Sequence, residues 1–168
     1  MIHVCSLARL HATVETTGAR HVVTLLKDTD RVERPSIIPA ANHLILGMDD
    51  ISVPMDGYVI PGDDHVTRLI AFVRGWDRLN PIVVHCYAGI SRSTAGAYVA
   101  ACALNPRRDE WAIAHDLRRA SPTATPNARI VALADRLLGR EGRMIAAIDA
   151  IGRGEMAYEG IPFRLDLE

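Results

Sequence analysis

Short runs of β-branched and other apolar residues alternate along the chain with longer segments in which apolar residues recur every three or four positions. The short runs predict buried strands, because a strand enclosed on both faces has little need of polar residues. Such runs lie at residues 2–6, 21–26, 43–48 and 82–86.

The longer segments predict helices that bury one apolar stripe. Residues 7–19 have helical spacing after the first strand, with Gly18 as a stop signal. A second helix is expected to begin at a cap formed by Asp63 or Asp64 and to run to about Trp76. Further helices are predicted at residues 95–104, 107–120, 126–138 and 142–152. For the helix at 126–138, the N-cap is predicted to be the threonine that precedes its first residue, a proline.

Strands that alternate with helices predict an α/β domain with a central, mostly parallel sheet flanked by helices. The length of 168 residues fits one domain, so residues 1–168 are expected to fold together. Residues 154–168 show no periodic pattern, and their structure is left open. Residues 27–41 and 49–64 are rich in charged residues or in Pro, Gly and Asp, and they predict loops. The second loop is longer than a simple connection needs, which is typical of functional loops.

Composition and charge narrow the classes of function. An apolar content of 49% and a charged content of 23% are typical of a globular protein, and no apolar run approaches the roughly 18 residues that span a membrane. A net charge of −1 argues against a broad nucleic-acid surface. The start of the chain lacks a signal-peptide pattern, and the three cysteines show no CxxC spacing. We therefore expect a cytoplasmic protein with no metal, no other cofactor, and no nucleic-acid or membrane partner.

The stretch IVVHCYAGISRS connects the fourth predicted strand to a predicted buried helix. A loop that curls from a strand into a helix N-terminus points backbone N–H groups inward and binds anions. Ala88 and Gly89 keep bulky side chains out of that loop. The same field favours a thiolate, so Cys86 is a candidate nucleophile. Arg92 carries a fork of donors suited to two phosphoryl oxygens, and Ser93 can donate a hydrogen bond to the thiolate.

HCYAGISRS fits the HCxxGxxR(S/T) signature of the cysteine-dependent protein tyrosine phosphatases at every fixed position. The chain resembles in particular the small, bacterial-type dual-specificity-like branch of that family. The resemblance implies a phosphatase-like fold, Cys86 as nucleophile, Arg92 as phosphate clamp, His85 as the residue that positions the cysteine, and no metal. It also implies that the loop holds phosphate through the backbone of Tyr87, Ala88, Gly89, Ile90, Ser91 and Arg92.

Three residues outside the signature have two interpretations each. The segment LRRASPTATPN is similar to the one that follows the loop in the same branch, which makes Arg119 and Asn127 candidates to brace the loop. A surface arginine and a helix-start residue are the alternatives. Cys5 ends a predicted strand, where a buried thiol is favoured and a protective disulfide with Cys86 is the alternative.

The reaction needs an acid that protonates the leaving group, and the loop at 49–64 supplies several aspartates. The acid of the resembled family lies about thirty residues before the cysteine, and this count favours Asp56. In the dual-specificity-like branch the acid lies two positions after the last inward apolar residue of a strand. Because Met48 ends the alternating pattern here, this rule favours Asp50. We predict Asp50, with Asp56 and Asp49 as alternatives.

These residues together predict a hydrolase of phosphate monoesters that works through a cysteinyl-phosphate intermediate. The expected partner is a phosphorylated protein, above all one that carries phosphotyrosine, and phosphate-like oxyanions are expected to inhibit. Preference for phosphotyrosine over phosphoserine or phosphothreonine depends on pocket depth, which no sequence pattern fixes. One alternative is a non-catalytic phosphate-binding module whose acid is missing. The other is a rhodanese-like sulfurtransferase, which also carries a cysteine loop that ends near an arginine.

Overall fold

The computed structural model describes residues 1–167, so Glu168, the last residue of the segment whose structure the sequence leaves open, lies outside the described residues. The strands in this range are β1 (Ile2–Ser6), β2 (His21–Leu26), β3 (His43–Gly47), β4 (Ile82–Cys86) and β5 (Phe163–Leu165). The α-helices are α1 (Leu10–Thr17), α2 (Asp63–Gly75), α3 (Arg92–Leu104), α4 (Glu110–Ala120), α5 (Ala128–Leu137) and α6 (Arg143–Ile151). None of these helices is both long enough and apolar enough to cross a membrane.

The strands form one sheet in the order β3-β2-β4-β1-β5. The first four strands are parallel, and β5 pairs with β1 in the antiparallel direction. The predicted α/β class with a mostly parallel sheet is confirmed. Strand β5 was not predicted, because three residues are too few to show a period of two.

The strand register places the carboxyl end of β4, which carries His85 and Cys86, beside β1 and β2. Ser6 of β1 pairs with Cys86, and Thr24 of β2 pairs with His85. Every residue of β4 is buried. The segments that follow these parallel strands therefore meet at one edge, the carboxyl edge, where open α/β sheets bind their ligands.

The two faces of the sheet bury different clusters, and this separates two cysteines. Cys86 belongs to the larger core beneath α2–α6, whereas Cys5 belongs to a smaller core with residues of α1. Since side chains alternate between faces along a strand and Cys5 pairs with His85, its thiol lies on the opposite face from that of Cys86. The fold therefore contradicts a Cys5–Cys86 disulfide and agrees with the favoured interpretation of Cys5 as a buried thiol.

Several predicted helix starts differ from the structure by a few residues, and three of these differences have a clear physical cause. Gly62 is the N-cap of α2, and Asp63 and Asp64 lie in the first turn, where carboxylates favour the positive end of the helix dipole. The second is α3, which begins at Arg92 rather than at residue 95, because the cysteine loop passes directly into the helix.

The third helix in question is α5, whose N-cap is Asn127 and not Thr125. Asn127 Oδ1 accepts hydrogen bonds from the backbone N–H groups of Arg129 and Ile130, both at 3.1 Å. The backbone N–H of Thr125 instead donates to the Ile90 carbonyl at 2.9 Å, so Thr125 belongs to the connection that contacts the cysteine loop.

Candidate active site

The thiol of Cys86 lies at the base of a short loop. Cys86 is the last residue of β4 and α3 begins at Arg92, so the five residues between them must turn from strand to helix. The Cys86 Sγ is 3.1 Å from the Ser93 Oγ and 3.3 Å from the backbone nitrogen of Gly89, which donates to it. The thiol therefore has two polar partners although only 2% of the residue is exposed.

The carbonyl groups of this loop point away from the thiol, because backbone N–H groups of neighbouring segments bind them from outside. The carbonyls of Tyr87, Ala88, Ile90 and Ser91 accept from Leu7, Gly160, Thr125 and Asn127 at 3.1, 2.8, 2.9 and 3.3 Å respectively. In a trans peptide the C=O of one residue and the N–H of the next point in opposite directions. The four N–H groups that follow these carbonyls therefore face the inside of the loop. Together with the N-terminus of α3 they form a cradle suited to an oxyanion.

Gly89 is required at the centre of the loop for two reasons. Its φ of 74° lies in the left-handed region, which side chains disfavour. In addition, a Cβ at this position would lie 2.8 Å from the backbone carbon of Cys5 and 2.8 Å from the backbone nitrogen of Ser6. The end of β1 therefore packs directly against the backbone of the loop.

Arg92 is held in place with part of its donor set available to the cradle. The residue is 6% exposed, and its Nη1 donates to the Met48 carbonyl at 2.8 Å. Within residues 1–167 its buried Nε has no hydrogen-bond partner. A buried donor that lacks a partner costs free energy, so this guanidinium is suited to bind an oxyanion in the loop.

His85 is fully buried beside Cys86 and is neutral near pH 7. Burial disfavours the imidazolium and lowers the pKa of His85 to about 4. Its Nε2 lies 2.7 Å from the Thr24 hydroxyl oxygen, which is also 2.7 Å from the Nε2 of His43. The hydroxyl group has a single proton, so Thr24 donates to one histidine and accepts from the other. Sequence analysis missed Thr24 and His43, because only the strand register brings them to His85.

The three candidate acids occupy different positions. Asp50 Oδ1 accepts hydrogen bonds from the Ser91 hydroxyl at 2.8 Å and from Asn127 Nδ2 at 2.9 Å, which brings its carboxylate to the cysteine loop. The Oδ2 of Asp49 accepts from the backbone N–H of Val59 at 2.7 Å, so this side chain closes its own loop. Asp56 is exposed in a turn within the same loop. Of the three, Asp50 is the one placed against the loop.

The two downstream candidates have different outcomes. Asn127 braces the site from α5: its side-chain nitrogen binds Asp50 Oδ1 and the Ile51 carbonyl, and its backbone N–H binds Ser91. Both interpretations of Asn127 therefore hold, since it also caps the helix. Arg119 is exposed and pairs with Asp116, so the structure does not bring it to the loop. The interpretation of Arg119 as a brace is wrong, and it is a surface arginine.

Sequence analysis also missed a contribution from the end of the chain. Glu159 Oε1 accepts from the Ser6 hydroxyl at 2.5 Å and lies 3.7 Å from Arg9 Nε, and the next residue, Gly160, binds the loop. A groove of about 460 Å³ lies between this segment and the loop. Its lining residues are Leu7, Ala8, Tyr87, Ala88, Tyr158 and Glu159. This segment has no periodic pattern of apolar residues, so its contact with the loop could not be predicted.

The described residues contain no group of three or more His, Cys, Asp or Glu side chains arranged to hold a metal ion. That the site works without a metal stays a prediction.

Comparison with known proteins agrees with this geometry. The family model described as "Tc-R-P: Polymorphic toxin system, DSP-PTPase phosphatase" matches residues 6–106, which include the whole cysteine loop. A search of curated protein sequences finds no match.

Several solved structures share the fold at low sequence identity. The PTP-2 phosphatase of Cydia pomonella has a TM-score of 0.61 and 20% identity over 80% of this chain and 84% of its own. Human DUSP28 has a TM-score of 0.62 and 16% identity over 83% of this chain and 89% of its own. The human tyrosine phosphatase-like serine/threonine/tyrosine-interacting protein has a TM-score of 0.62 and 15% identity over 83% and 92%. These likenesses establish a phosphatase-like fold.

Proposed function

The chain belongs to the family of DSP-PTPase phosphatases of polymorphic toxin systems, and we propose on this basis that it hydrolyses phosphate monoesters with Cys86 as nucleophile. The observation that carries the proposal is the arrangement around the thiol. The Gly89 N–H donates to Cys86 Sγ, and the same loop leads into the N-terminus of α3. Within residues 1–167, Arg92 in the first turn of that helix has a buried Nε without a partner, and each of these groups favours negative charge at the loop. Such a site stabilises both a thiolate and the phosphoryl group that it attacks.

In the first step, the Cys86 thiolate attacks phosphorus in line with the leaving oxygen. Arg92 and the loop N–H groups hold the three remaining phosphoryl oxygens and stabilise their charge in the transition state. An S–P bond forms while the P–O bond to the leaving group breaks. Asp50 gives its proton to that leaving oxygen, so the alcohol or phenol departs neutral.

In the second step, water hydrolyses the cysteinyl phosphate. The Asp50 carboxylate takes a proton from the water molecule, whose oxygen attacks phosphorus as the S–P bond breaks. The Ser93 hydroxyl, 3.1 Å from Cys86 Sγ, donates a hydrogen bond to the departing thiolate. Inorganic phosphate leaves, and Cys86 and Asp50 regain their starting protonation states. In this cycle His85 stays neutral, since burial lowers its pKa to about 4, and it acts by fixing the strand end that carries Cys86.

The proposed substrate is a phosphorylated protein, with phosphotyrosine preferred. The support is the groove beside the loop, where the side chains of Tyr87 and Tyr158 are exposed and Leu7 and Ala8 add apolar surface. Aromatic side chains favour contact with a phenyl ring in stacked or edge-on geometry. Phosphate-like oxyanions are expected to compete for the same loop.

Hydrolysis of an aryl and an alkyl phosphate in excess chelator tests the proposal. The aryl ester needs little protonation of its leaving group, so it reports on the nucleophile, whereas the alkyl ester reports on the acid. Cys86→Ser is expected to abolish turnover of both esters. Asp50→Asn is expected to lower kcat on the alkyl ester by about 10²-fold or more, with a smaller loss on the aryl ester. Asp56→Asn is the matched control and is expected to keep the activity of the parent chain.

Four results would contradict parts of this proposal. Full activity of Cys86→Ser would remove the cysteine mechanism, and a larger loss in Asp56→Asn than in Asp50→Asn would reassign the acid. An intact chain that binds phosphate but turns over neither ester would be a phosphate-binding module. Persulfide transfer from thiosulfate in place of ester hydrolysis would favour the sulfurtransferase alternative.

A further inference from the structure

The segment 153–162, here called the C-terminal strap, lies beyond the residues that the family model matches, yet it contacts the cysteine loop. The strap reaches the loop at Gly160, and hydrogen bonds hold the chain in place both before and after that residue. Before it, Gly154 N–H donates to the Thr125 hydroxyl at 3.1 Å and Glu155 N–H donates to the Pro122 carbonyl at 2.9 Å. After it, β5 pairs with β1. The strap is therefore anchored to the central sheet and to the connection before α5, both of which also contact the active site.

One strap residue continues a hydrogen-bonded chain that ends at the nucleophile. Gly160 N–H donates to the Ala88 carbonyl at 2.8 Å. The same peptide group carries the N–H of Gly89, which donates to Cys86 Sγ at 3.3 Å. Because hydrogen bonds in series polarise one another, the bond from Gly160 strengthens the Gly89 N–H as a donor and also fixes its direction.

We propose that Gly160 is a positioning residue for the phosphate-binding loop, and that the C-terminal strap is part of the active site. The inference rests on the proposed function, since it concerns how the same loop holds an oxyanion. Gly160 does not touch the substrate. It acts through the Ala88–Gly89 peptide, whose N–H faces the thiolate and the phosphoryl oxygens.

The close approach requires glycine at position 160. A Cβ there would lie 2.7 Å from the Gly89 carbonyl oxygen and 3.3 Å from the Gly89 carbonyl carbon, both of which are backbone atoms. Gly160 is not among the glycines with positive φ, so contact and not backbone conformation excludes a side chain. A Cβ added at Gly89 would likewise lie 2.8 Å from backbone atoms of Cys5 and Ser6. The loop is therefore packed closely against both β1 and the strap.

The neighbouring residue sets the distance between strap and loop. Glu159 accepts from the Ser6 hydroxyl at 2.5 Å and lies 3.7 Å from Arg9. Ser6 is the residue that pairs with Cys86 across the sheet. Glu159 thus ties the strap to the strand beside the nucleophile, one residue before Gly160 reaches the loop.

Binding of tungstate, measured by titration calorimetry on the full chain, tests this inference without requiring turnover. Gly160→Ala must push either the strap or the loop aside, so the bond to Ala88 is lost in both cases. We expect tungstate affinity to fall about 10-fold, on the order of the loss of one hydrogen bond to a charged group. Gly75→Ala is the matched control, because a Cβ there meets no atom within 4 Å. Ile161→Ala is a second control on the exposed side of the strap.

The thermal unfolding midpoint without ligand separates a positioning role from a structural one. The inference expects Gly160→Ala to keep a midpoint close to that of Gly75→Ala while it loses oxyanion affinity. Equal tungstate affinity in these two variants would overturn it. If Gly160→Ala fails to fold, Glu159→Ala is tested in its place, since it releases the strap without adding an atom at the loop. Weaker tungstate binding by Glu159→Ala would support the inference, and unchanged binding would overturn it.

Failure of the proposed function gives a different result. A parent chain that binds tungstate but hydrolyses no ester would overturn the catalytic proposal alone, and the comparison of variants would still stand. A parent chain that binds no tungstate would overturn both.

Discussion

Cys86 differs from Cys5 and Cys102 in what surrounds its sulfur, although all three residues are buried. Burial raises the pKa of the Cys5 thiol to about 12 and that of Cys102 to about 12, since a thiolate is costly away from water. Cys86 instead faces an N–H donor, a hydroxyl and a helix N-terminus. Reactivity is therefore decided by the few atoms around each sulfur and not by burial alone.

A first prediction concerns the selectivity of alkylation. Iodoacetate at neutral pH should add one carboxymethyl group per folded chain, on Cys86, because Cys5 and Cys102 remain protonated there. Peptide mass spectrometry measures the site. Cys86→Ser is the control and should remain unmodified over the same time, and phosphate should slow the reaction of the parent chain. Modification of Cys5 or Cys102 at a rate similar to that of Cys86 would contradict the assignment.

A second prediction separates the two tasks of Asn127, which caps α5 through Oδ1 and binds Asp50 through Nδ2. Asn127→Ser keeps a capping oxygen but is too short to reach Asp50, whereas Asn127→Ala loses both. Both variants should lose turnover of an alkyl phosphate to a similar extent. Only Asn127→Ala should lose a further ~1 kcal/mol in the free energy of unfolding, measured in urea. Activity of Asn127→Ser equal to that of the parent chain would show that Asp50 needs no such brace.

At the scale of elements, the helices behind the site are joined by a buried ion pair. Glu110, at the start of α4, accepts from Arg140 Nη1 at 2.7 Å, and Arg140 Nη2 donates to the Cys102 carbonyl of α3 at 2.8 Å. Arg143, the first residue of α6, approaches the same carboxylate at 3.3 Å. Desolvation acts to raise the pKa of Glu110, but hydrogen bonds and the two arginines together hold it below its usual range. One carboxylate thus connects three helices.

A third prediction compares the two arginines that share Glu110. Arg140→Met leaves a buried carboxylate without its closest partner and should lower the free energy of unfolding by about 3–5 kcal/mol. Arg143→Met removes a half-exposed partner and should cost less than about 1 kcal/mol. Urea unfolding of both variants gives the comparison. Equal losses in the free energy of unfolding would mean that the buried ion pair with Arg140 stabilises the fold no more than the half-exposed one with Arg143.

Helices and strands with a long pattern of apolar residues were predictable. Elements whose formation depends on contacts with distant residues were not. Four strands and the approximate positions of the helices follow from apolar spacing, since burial of a stripe or a face is a local requirement. Strand β5 exists because β1 offers it an edge, and the N-cap of α5 is Asn127 because Thr125 is taken up by the loop. Such choices depend on residues far away in the sequence.

At the scale of the whole molecule, the burial of His85 links stability to pH. The pKa of His85 falls to about 4 on folding because burial disfavours its charged form, and burial also lowers the pKa values of His3, His21 and His43. Below its ordinary value of 6.5, the unfolded chain binds a proton at His85 that the folded chain excludes until about pH 4. The contribution of His85 to stability is therefore present in full above pH 6.5 and is lost as the pH falls from 6.5 to 4.

A fourth prediction gives the size of this effect. With about 1.4 kcal/mol per unit of pKa shift, His85 alone should contribute on the order of 3 kcal/mol to the loss between pH 6.5 and pH 4. Urea unfolding at several pH values measures the slope. His85→Gln should show a clearly smaller slope over this range, whatever its stability at neutral pH. A slope identical to that of the parent chain would mean that His85 accepts a proton in the folded state.

The sequence by itself determined the proposed nucleophile, the loop around it and the α/β arrangement. Each of these depends on residue types within one short window: a strand, a cysteine, small residues, an arginine and a helix that follows. Only the tertiary structure decided which aspartate meets the loop, since Asp50 and Ser91 are 41 positions apart, and that Asn127, 77 positions from Asp50, holds it there. It also decided that Gly160 binds the loop from outside. The physical reason is that hydrogen bonds act over about 3 Å, and the strand register and the path of the chain set which distant residues come that close.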